Sequence, residues 1–198
     1  PLARNRGLLH MQADEGGAVR MILELVDPND WADVTNQIDG EFGDGTAKAL
    51  LGDLAPISIQ REESNTIYLI PMDWIGRIEE YGGYDIRSMG IQMGELARGK
   101  FRLSLQILPA LARITDRVLV VSQKGAETFT YGRSIIKESV VKLGSPMRKG
   151  QRVLVLNERL ECLGLAALSI DGDRLERLAK EKLVAKNLVD IGAYVRGA

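Results

Sequence analysis

Residues 117–132 read RVLVVSQKGAETFTYG, and this stretch decides how the second half of the chain folds. Arg117–Val121 predicts a buried strand, because four apolar residues follow the arginine. Ala126 and Phe129 are then three residues apart, a spacing that places both on one face of a short helix. Gly132 is expected to end this helix, since glycine is the usual residue just past a helix C-terminus.

Three further strands are predicted downstream. Val140–Leu143, Arg152–Asn157 and Glu161–Ile170 are each bounded by turn residues. Short strands at such close spacing favour a compact barrel.

The C-terminal segment is predicted to contain helices. Asp171–Glu181 has the pattern of a turn that leads into a charged helix. Asp190 is suited to cap a last helical turn. Ile191, Tyr194 and Val195 on that turn are spaced so that their apolar side chains would return to the core.

The first half of the chain predicts an α+β domain. Asp27-Pro28 is a typical helix start, and the residues after it are apolar at helical spacing. Ile57–Ile59 and Thr66–Ile70 flank a polar stretch, the pattern of a β-hairpin. The helix residues are Trp31, Val34, Ile38 and Phe42, followed by a fraying end at Gly40, Gly43 and Gly45.

A second group of elements completes this half. A short amphipathic helix is predicted after Pro71 and is expected to end at Gly82-Gly83. Strands are predicted over 88–93 and 101–107, and Pro109–Ile114 predicts a short helical connector.

Length and composition fit two small globular domains. Of 198 residues, 45% are hydrophobic and 27% are charged. We predict a flexible extension over residues 1–20, an N-terminal α+β domain over 21–113 and a C-terminal domain over 114–198. No apolar run approaches the roughly 20 residues of a membrane-spanning helix. Cys162 is the only cysteine and lies in an apolar run, which predicts a small buried side chain in a reducing, intracellular compartment.

The two halves of the chain carry opposite charge. Residues 1–99 contain 8 Lys and Arg against 17 Asp and Glu, a net charge of −9. Residues 100–198 contain 18 Lys and Arg against 10 Asp and Glu, a net charge of +8. This asymmetry predicts either that the second domain meets a polyanion or that the two domains attract one another.

Three segments of the second half resemble a PUA domain, a domain named from pseudouridine synthases and archaeosine transglycosylases. They are Lys124–Gly132, the predicted strand pair 152–168 and Asp190-Ile-Gly-Ala-Tyr-Val-Arg196. With Thr66–Ile75 and Gly99–Leu103 upstream, their order is similar to that of the Nip-seven family of factors for large ribosomal subunit biogenesis, here in an archaeal form.

The resemblance implies an α+β fold in which an N-terminal α/β domain precedes a C-terminal PUA pseudo-barrel of mixed strands with flanking helices. It also implies that the C-terminal domain binds RNA, that the N-terminal domain serves protein partners, and that neither is an enzyme. The charge count agrees independently, because nucleic-acid affinity needs Lys and Arg together on one domain.

Basic residues late in the chain form the first candidate RNA-binding set. Spacings of three and four residues from Arg174 onward place several of them on one face of the predicted helix, although Glu176 and Glu181 interrupt the strip. Without the resemblance, the simpler interpretation is a solvated helix with local ion pairs. The resemblance implies RNA contact, with Lys182 and Lys186 at the best-matching positions. The set comprises Arg177, Lys180, Lys182 and Lys186.

A second candidate set surrounds the glycine-bounded segment and comprises Lys124, Arg133, Lys137 and Lys142, of which the first three are assigned to the site. In PUA domains this segment borders the RNA-contacting surface. Gly125 and Gly132 would permit close approach of a ligand, or they serve the local backbone conformation alone. The further cluster Arg148, Lys149 and Arg152 lies in a basic turn before a strand, which is typical of ordinary protein surface, and is left out of the site.

Few aromatic side chains of the second half are expected to be available for base stacking. Phe129 and Tyr194 are predicted to lie in the core. Phosphate contacts should therefore dominate, with weak sequence preference and a preference for flexible single strands.

Enzyme sites lack essential parts in this sequence. Gly94–Lys100 approaches a phosphate-binding P-loop, but Phe101 replaces the magnesium-binding hydroxyl and a strand follows, so a hairpin turn is predicted. His10 is the only histidine, so neither a Ser-His-Asp triad nor a two-histidine metal site can be assembled. No metal or cofactor is expected.

The sequence therefore predicts a non-catalytic factor that binds pre-rRNA through its basic domain and other assembly proteins through its acidic domain. It is expected to be monomeric, away from membranes, and cytoplasmic, or nucleolar in a eukaryote. The alternative is an RNA-gripping accessory subunit or enzyme of RNA modification. A pure protein adaptor, which would show no salt-dependent RNA affinity, is a third hypothesis.

Overall fold

The computed structural model describes residues 22–60, 64–81, 88–144 and 147–197. The extension predicted over residues 1–20 lies outside these ranges. Chain contacts divide the protein into two compact units, the first comprising the chain up to Val34 together with Leu51–Ser104. The second comprises Thr35–Leu50 and the chain from Leu105 onward. The domain boundary drawn from the sequence after residue 113 stays a prediction.

The first unit is built on an antiparallel sheet whose strands are paired in chain order. The predicted hairpin is present, and the buried residues Ala55, Ile57 and Ile59 alternate along its first strand as expected for a strand with one face in a core. The last strand ends at Leu103, so the strand predicted to continue to residue 107 is shorter than expected. The strands are β1 Ile22–Leu25, β2 Leu54–Gln60, β3 Asn65–Pro71, β4 Ile91–Ala97 and β5 Lys100–Leu103.

The helix predicted at Asp27-Pro28 is confirmed as α1, Pro28–Phe42. The Asp27 carboxylate accepts a hydrogen bond from the Asn29 backbone N–H at 2.8 Å, which is the expected cap. The predicted fraying end is wrong, because a second helix, α2 (Thr46–Leu51), follows at once. The Asp39 carboxylate of α1 accepts from the Ala47 backbone N–H of α2 at 2.7 Å and so stabilises the start of that helix.

The segment that approaches a P-loop forms the β4–β5 hairpin predicted for it. Ala97 pairs with Lys100, and the two residues between them, Arg98 and Gly99, have φ angles of 50° and 69°. A two-residue turn with both φ angles positive matches the twist of the paired strands. The helix predicted after Pro71 is a 3₁₀ helix, Met72–Tyr81, and its predicted end at Gly82-Gly83 lies outside the described residues.

The second unit contains a six-stranded sheet in the order β7-β11-β10-β9-β6-β8. The strands β6 and β9 are parallel and the other pairs are antiparallel. The two edge strands, β7 and β8, are joined by the short 3₁₀ helix Lys137–Ser139, so the sheet curls into a nearly closed barrel. The strands are β6 Val118–Val121, β7 Ile135–Ile136, β8 Val140–Leu143, β9 Arg152–Leu156, β10 Cys162–Leu168 and β11 Leu183–Asp190.

Three α-helices in the described chain after residue 104 flank this sheet, which confirms the predicted fold class. They are α3 Leu108–Leu111, α4 Gln123–Thr130 and α5 Ala193–Arg196. Phe129 of α4 is fully buried in the barrel core. No helix in the described ranges is long and apolar enough to cross a bilayer.

The end of α1 packs against the barrel sheet. The Glu41 carboxylate forms an ion pair with the Arg152 guanidinium of β9. The Arg117 guanidinium donates to the Glu41 carbonyl at 2.6 Å, and the Thr115 hydroxyl donates to the Phe42 carbonyl at 2.6 Å. Residues 35–50 thus belong with the second unit although they are distant from it in sequence.

The charged helix predicted late in the chain is present only as a short 3₁₀ helix, and the helical face expected to reach Lys186 is wrong. Gly172–Arg177 forms a 3₁₀ helix, and Leu183–Asp190 is the strand β11, paired with β10 on one side and β7 on the other. Val184 and Ala185 are fully buried in the barrel core. Strand pairing and burial outweigh the helical spacing of the charges, because local propensity is a weak preference.

The prediction that the last turn returns its apolar groups to the core is also wrong. Ile191, Tyr194 and Val195 are 43%, 70% and 89% exposed. Close packing at Gly192 and a hydrogen bond from Arg196 hold the turn α5 against the end of α4. These contacts leave Tyr194 and Val195 facing solvent.

Candidate nucleic-acid interface

Three predicted RNA-binding lysines are brought together at the edge of the barrel sheet. The Lys137 backbone N–H donates to the Lys182 carbonyl at 2.9 Å, and the Glu138 backbone N–H donates to the Lys180 carbonyl at 2.8 Å. These bonds continue the β7–β11 pairing into the following turn. Lys137, Lys180 and Lys182, termed here the lysine cluster, therefore lie on neighbouring backbone segments that are distant in sequence.

Lys124 lies near this cluster because α4 begins against the Lys137–Ser139 turn. The Ser122 hydroxyl caps α4 by accepting from the Gly125 backbone N–H at 3.2 Å, and the Ser122 N–H donates to the Ser139 carbonyl at 2.9 Å. A Cβ on Gly125 would lie 2.8 Å from the Ser139 Cβ. The glycine therefore serves close packing within the protein at this position.

Acidic side chains accompany the lysine cluster. The Lys137 ammonium lies 3.3 Å from the Glu176 carboxylate, and the two side chains are 20% and 86% exposed. Glu138 and Glu181 are exposed nearby in sequence. Lys180 and Lys182 are exposed, and no described carboxylate lies within ion-pair distance of them. These two lysines are therefore the members of the cluster best placed to contact an anion.

The remaining predicted residues are spread more widely. Arg177 ends the 3₁₀ helix just before the cluster. Lys186 lies within β11, four positions after Lys182. In an extended strand these four steps span about 13 Å, whereas in a helix they would span about 6 Å. Lys124 lies in the first turn of α4, and Arg133 lies just after its C-terminus. The two residues are therefore separated by about the length of this eight-residue helix, roughly 12 Å.

Sequence reasoning set aside two basic residues that the structure places beside the candidate site. The Lys149 backbone N–H donates to the Asp171 carboxylate at 3.0 Å, and the Gly172 N–H donates to the Met147 carbonyl at 2.7 Å. The turn that carries Arg148 and Lys149 thus lies against the start of the 3₁₀ helix that leads to Arg177. Lys149 and Asp171 are 22 residues apart, so the basic turn alone gave no signal of this pairing.

Arg152 belongs to a different part of the structure. Its ion pair with Glu41 occupies the guanidinium, and its side chain is 28% exposed. Leaving Arg152 out of the RNA-binding set is therefore consistent with the position of its side chain.

The closing motif Asp190–Arg196 caps the C-terminus of α4. The Arg196 guanidinium donates to the Thr130 carbonyl and to both oxygens of the Asp190 carboxylate, and the Asn187 amide donates to the Phe129 carbonyl at 2.9 Å. These donors satisfy carbonyls that the end of a helix leaves without intrahelical partners. The hydrogen bond to Asp190 raises the pKa of Arg196 above its ordinary value. Within the described chain, this motif therefore has a structural role.

Comparison with known proteins finds a family match within the second unit. Residues 117–198 match the model of the UPF0113 PUA domain. These residues are therefore similar to a UPF0113 PUA domain. The chain is 34% identical to the UPF0113 protein of Archaeoglobus fulgidus over 107 residues, which are 54% of this chain and 60% of that protein. The chain thus spans less than two thirds of this archaeal relative.

Further relatives extend the likeness beyond the UPF0113 PUA domain. The 60S ribosome subunit biogenesis protein NIP7 of Saccharomyces cerevisiae is 27% identical over 140 residues, 69% of this chain and 76% of that protein. The solved structure of a conserved PUA domain protein from Thermoplasma acidophilum has a TM-score of 0.60 and 11% identity, covering 89% of this chain and 99% of that chain. The resemblance to the Nip-seven family is confirmed, and the structural match shows the fold.

Proposed function

We propose that this protein is a non-catalytic factor of large ribosomal subunit biogenesis that binds pre-rRNA through the lysine cluster of its PUA domain. The relative from Saccharomyces cerevisiae is a 60S ribosome subunit biogenesis protein, which supports the assembly role. The observation that carries the RNA-binding role is the pair of backbone hydrogen bonds that places Lys137 beside Lys180 and Lys182. The acidic first half of the chain serves protein partners, and the factor acts as a monomer in the cytoplasm.

The physical basis of the proposal is phosphate neutralisation. Each lysine that contacts a phosphate releases condensed counterions, so affinity depends on salt in proportion to the number of contacts. Lys180 and Lys182 are exposed, and their long side chains are able to follow an irregular backbone. Arg177, Arg148 and Lys149 extend the surface along the strand of RNA.

The decisive experiment measures RNA affinity of the full chain as a function of salt. Fluorescence anisotropy with a labelled single-stranded RNA of about 16 nucleotides, the upper end of the site sizes of small single-strand-binding folds, provides the binding curves. For the double variant Lys180→Ala/Lys182→Ala, the slope of log affinity against log salt should flatten by about 0.7 for each lost phosphate contact. The matched control is Arg113→Ala/Arg159→Ala, which removes two exposed cations from the same unit.

The outcomes separate the hypotheses. Weaker binding with an unchanged slope would mean that the lysines act through structure. An equal loss of slope in the control would mean that binding follows overall charge. If the unsubstituted protein showed no RNA affinity that depends on salt, the proposed function would be contradicted. A protein adaptor would then be favoured.

A further inference from the structure

Two exposed tyrosines lie on adjacent segments beyond the lysine cluster. Tyr131, the C-terminal cap of α4, is 75% exposed, and Tyr194 of α5 is 70% exposed. The Arg196 guanidinium, two residues after Tyr194, reaches the Thr130 carbonyl directly before Tyr131. We term Tyr131 and Tyr194 the tyrosine patch. Neither residue belongs to the barrel core.

The backbone that carries the tyrosine patch is anchored at several points. The Asp190 carboxylate, 2% exposed as a residue, accepts from the Gly192 N–H at 2.9 Å and from the Arg196 guanidinium. A Cβ on Gly192 would overlap the Thr130 carbonyl oxygen, so α5 approaches α4 as closely as a glycine allows. Buried polar anchors that hold two solvent-facing aromatic groups lower the entropy lost when those groups bind a partner.

The charges around the patch favour an anionic partner. Arg133, two residues after Tyr131, is exposed, and no described carboxylate lies within ion-pair distance of its guanidinium. Glu127, one helical turn before Tyr131, is the nearby acid on α4, and it accepts a hydrogen bond from the Gln123 amide at 3.4 Å. Asp190 is occupied by Arg196. Aromatic faces beside an uncompensated arginine are the combination that binds unpaired nucleobases and their phosphates.

We infer that the tyrosine patch stacks with unpaired bases of single-stranded RNA, while Arg133 contacts the adjoining phosphate. The inference rests on the proposed function and deepens it, because it assigns base contacts in addition to the phosphate contacts of the lysine cluster. Stacking is tolerant of sequence, since every base offers a π face. The patch therefore discriminates between single strands and duplexes, in which the bases are already stacked on one another.

The test uses the full chain and two RNAs, a single strand and the same strand annealed to its complement. For Tyr131→Ala/Tyr194→Ala, affinity for the single strand should fall by about 5- to 140-fold for each stacked base that is lost. The salt slope should remain that of the parent, because stacking releases no counterions. Affinity for the duplex should change little. The double variant Tyr131→Phe/Tyr194→Phe keeps the rings and should bind as the parent does.

Failure of this inference is distinguishable from failure of the proposed function. If the Ala variant binds the single strand like the parent while Lys180→Ala/Lys182→Ala still flattens the slope, the lysine cluster binds RNA and the inference about the patch is overturned. If the Ala variant loses affinity for both RNAs alike, the tyrosines do not select unpaired bases and the inference is likewise overturned. Thermal melting of each variant checks that the fold is retained.

Discussion

The Asp190 carboxylate accepts hydrogen bonds from both terminal nitrogens of the Arg196 guanidinium, each at 3.0 Å. The Asp190 side chain is 3% exposed and the Arg196 side chain is 32% exposed, so the pair lies at the boundary between core and solvent. The same carboxylate accepts from the Asn187 amide at 3.0 Å. Through these bonds the last residues of the chain are tied to β11 and to the C-terminus of α4.

Replacing Asp190 by asparagine should lower the free energy of unfolding by about 1–3 kcal/mol, because an amide nitrogen in place of a carboxylate oxygen leaves a buried donor without an acceptor. Urea denaturation measures the change. The matched control is Asp173→Asn at an exposed position, which should change stability by less than about 0.5 kcal/mol. Equal stability of the two variants would show that the network does not support the fold.

Alanine substitution at two glycines should have effects of opposite sign. Gly192 has φ −70°, which any residue adopts, so Gly192→Ala is unfavourable for steric reasons: the new Cβ would overlap the Thr130 carbonyl oxygen and crowd the Arg196 guanidinium and the Asp190 carboxylate. We expect a loss of about 1–3 kcal/mol, typical of forced overpacking. Gly40 lies inside α1, and a Cβ added there would meet no atom within 4 Å, so Gly40→Ala should stabilise by about 0.5–1 kcal/mol. Differential scanning calorimetry measures both, and a stabilised Gly192→Ala variant would contradict the packing described.

The Glu41–Arg152 ion pair should show measurable coupling. The two side chains are 22% and 28% exposed, so the pair is partly shielded from water. A double-mutant cycle with Glu41→Ala and Arg152→Ala should give a coupling free energy of about 1 kcal/mol or more, above the typical value of fully exposed pairs. Independent effects of the two substitutions would mean that residues 35–50 are not tied to β9 in solution.

The Cys162 thiol should react slowly with alkylating agents. Burial raises its pKa to about 11, although a hydrogen bond with the Gly164 backbone acts in the opposite direction. The thiolate is the nucleophile, so at pH 8 only about one thiol in a thousand is reactive, against about one in ten for a pKa of 9. The iodoacetamide rate in folded protein should rise about tenfold per pH unit up to pH 11. In urea the rate should level off near pH 9, and a plateau at that pH in the folded protein would contradict the raised pKa.

Lys186 should contribute less to RNA affinity than Lys182. The strand β11 carries Lys186 about 13 Å from Lys182, beyond the lysine cluster. The single variant Lys186→Ala should therefore keep more of the parent's salt slope than Lys182→Ala in the anisotropy assay. If Lys186→Ala flattened the dependence of log affinity on log salt more than Lys182→Ala did, the RNA phosphates would lie across the face of β11 and β10.

Local signals in the sequence predicted many elements correctly. Asp27-Pro28 started α1 because capping depends on residues next to one another, and the alternation in Ile57–Ile59 marked a strand because its period is local. The segment Lys124–Gly132 formed the expected helix for the same reason. The helix α2 was missed for two reasons. Its start depends on a hydrogen bond to Asp39, eight residues earlier, and the glycines before it predicted a fraying end of α1 instead of a second helix.

The candidate site was predicted in composition but not in arrangement. The basic residues were chosen from the charge of the second half, their spacing and the family resemblance, none of which needs the folded geometry. Their placement on one helical face was wrong, because β11 forms only when β10 and β7 supply backbone partners. The exposure of Tyr194 was missed for a related reason, since α5 is oriented by Arg196 and Gly192 rather than by burial of its apolar residues.

The sequence by itself determined the charge of each half, the capped helices, most strands and the family resemblance, because these depend on composition or on neighbours a few residues apart. The tertiary structure alone decided that Leu183–Asp190 is a strand, that Lys137 lies beside Lys180 and Lys182, and that Tyr194 faces solvent. Each of these depends on hydrogen bonds or packing between segments distant in the chain. The free energy of such contacts exceeds the weak conformational preference of a single segment, so local patterns could not decide them.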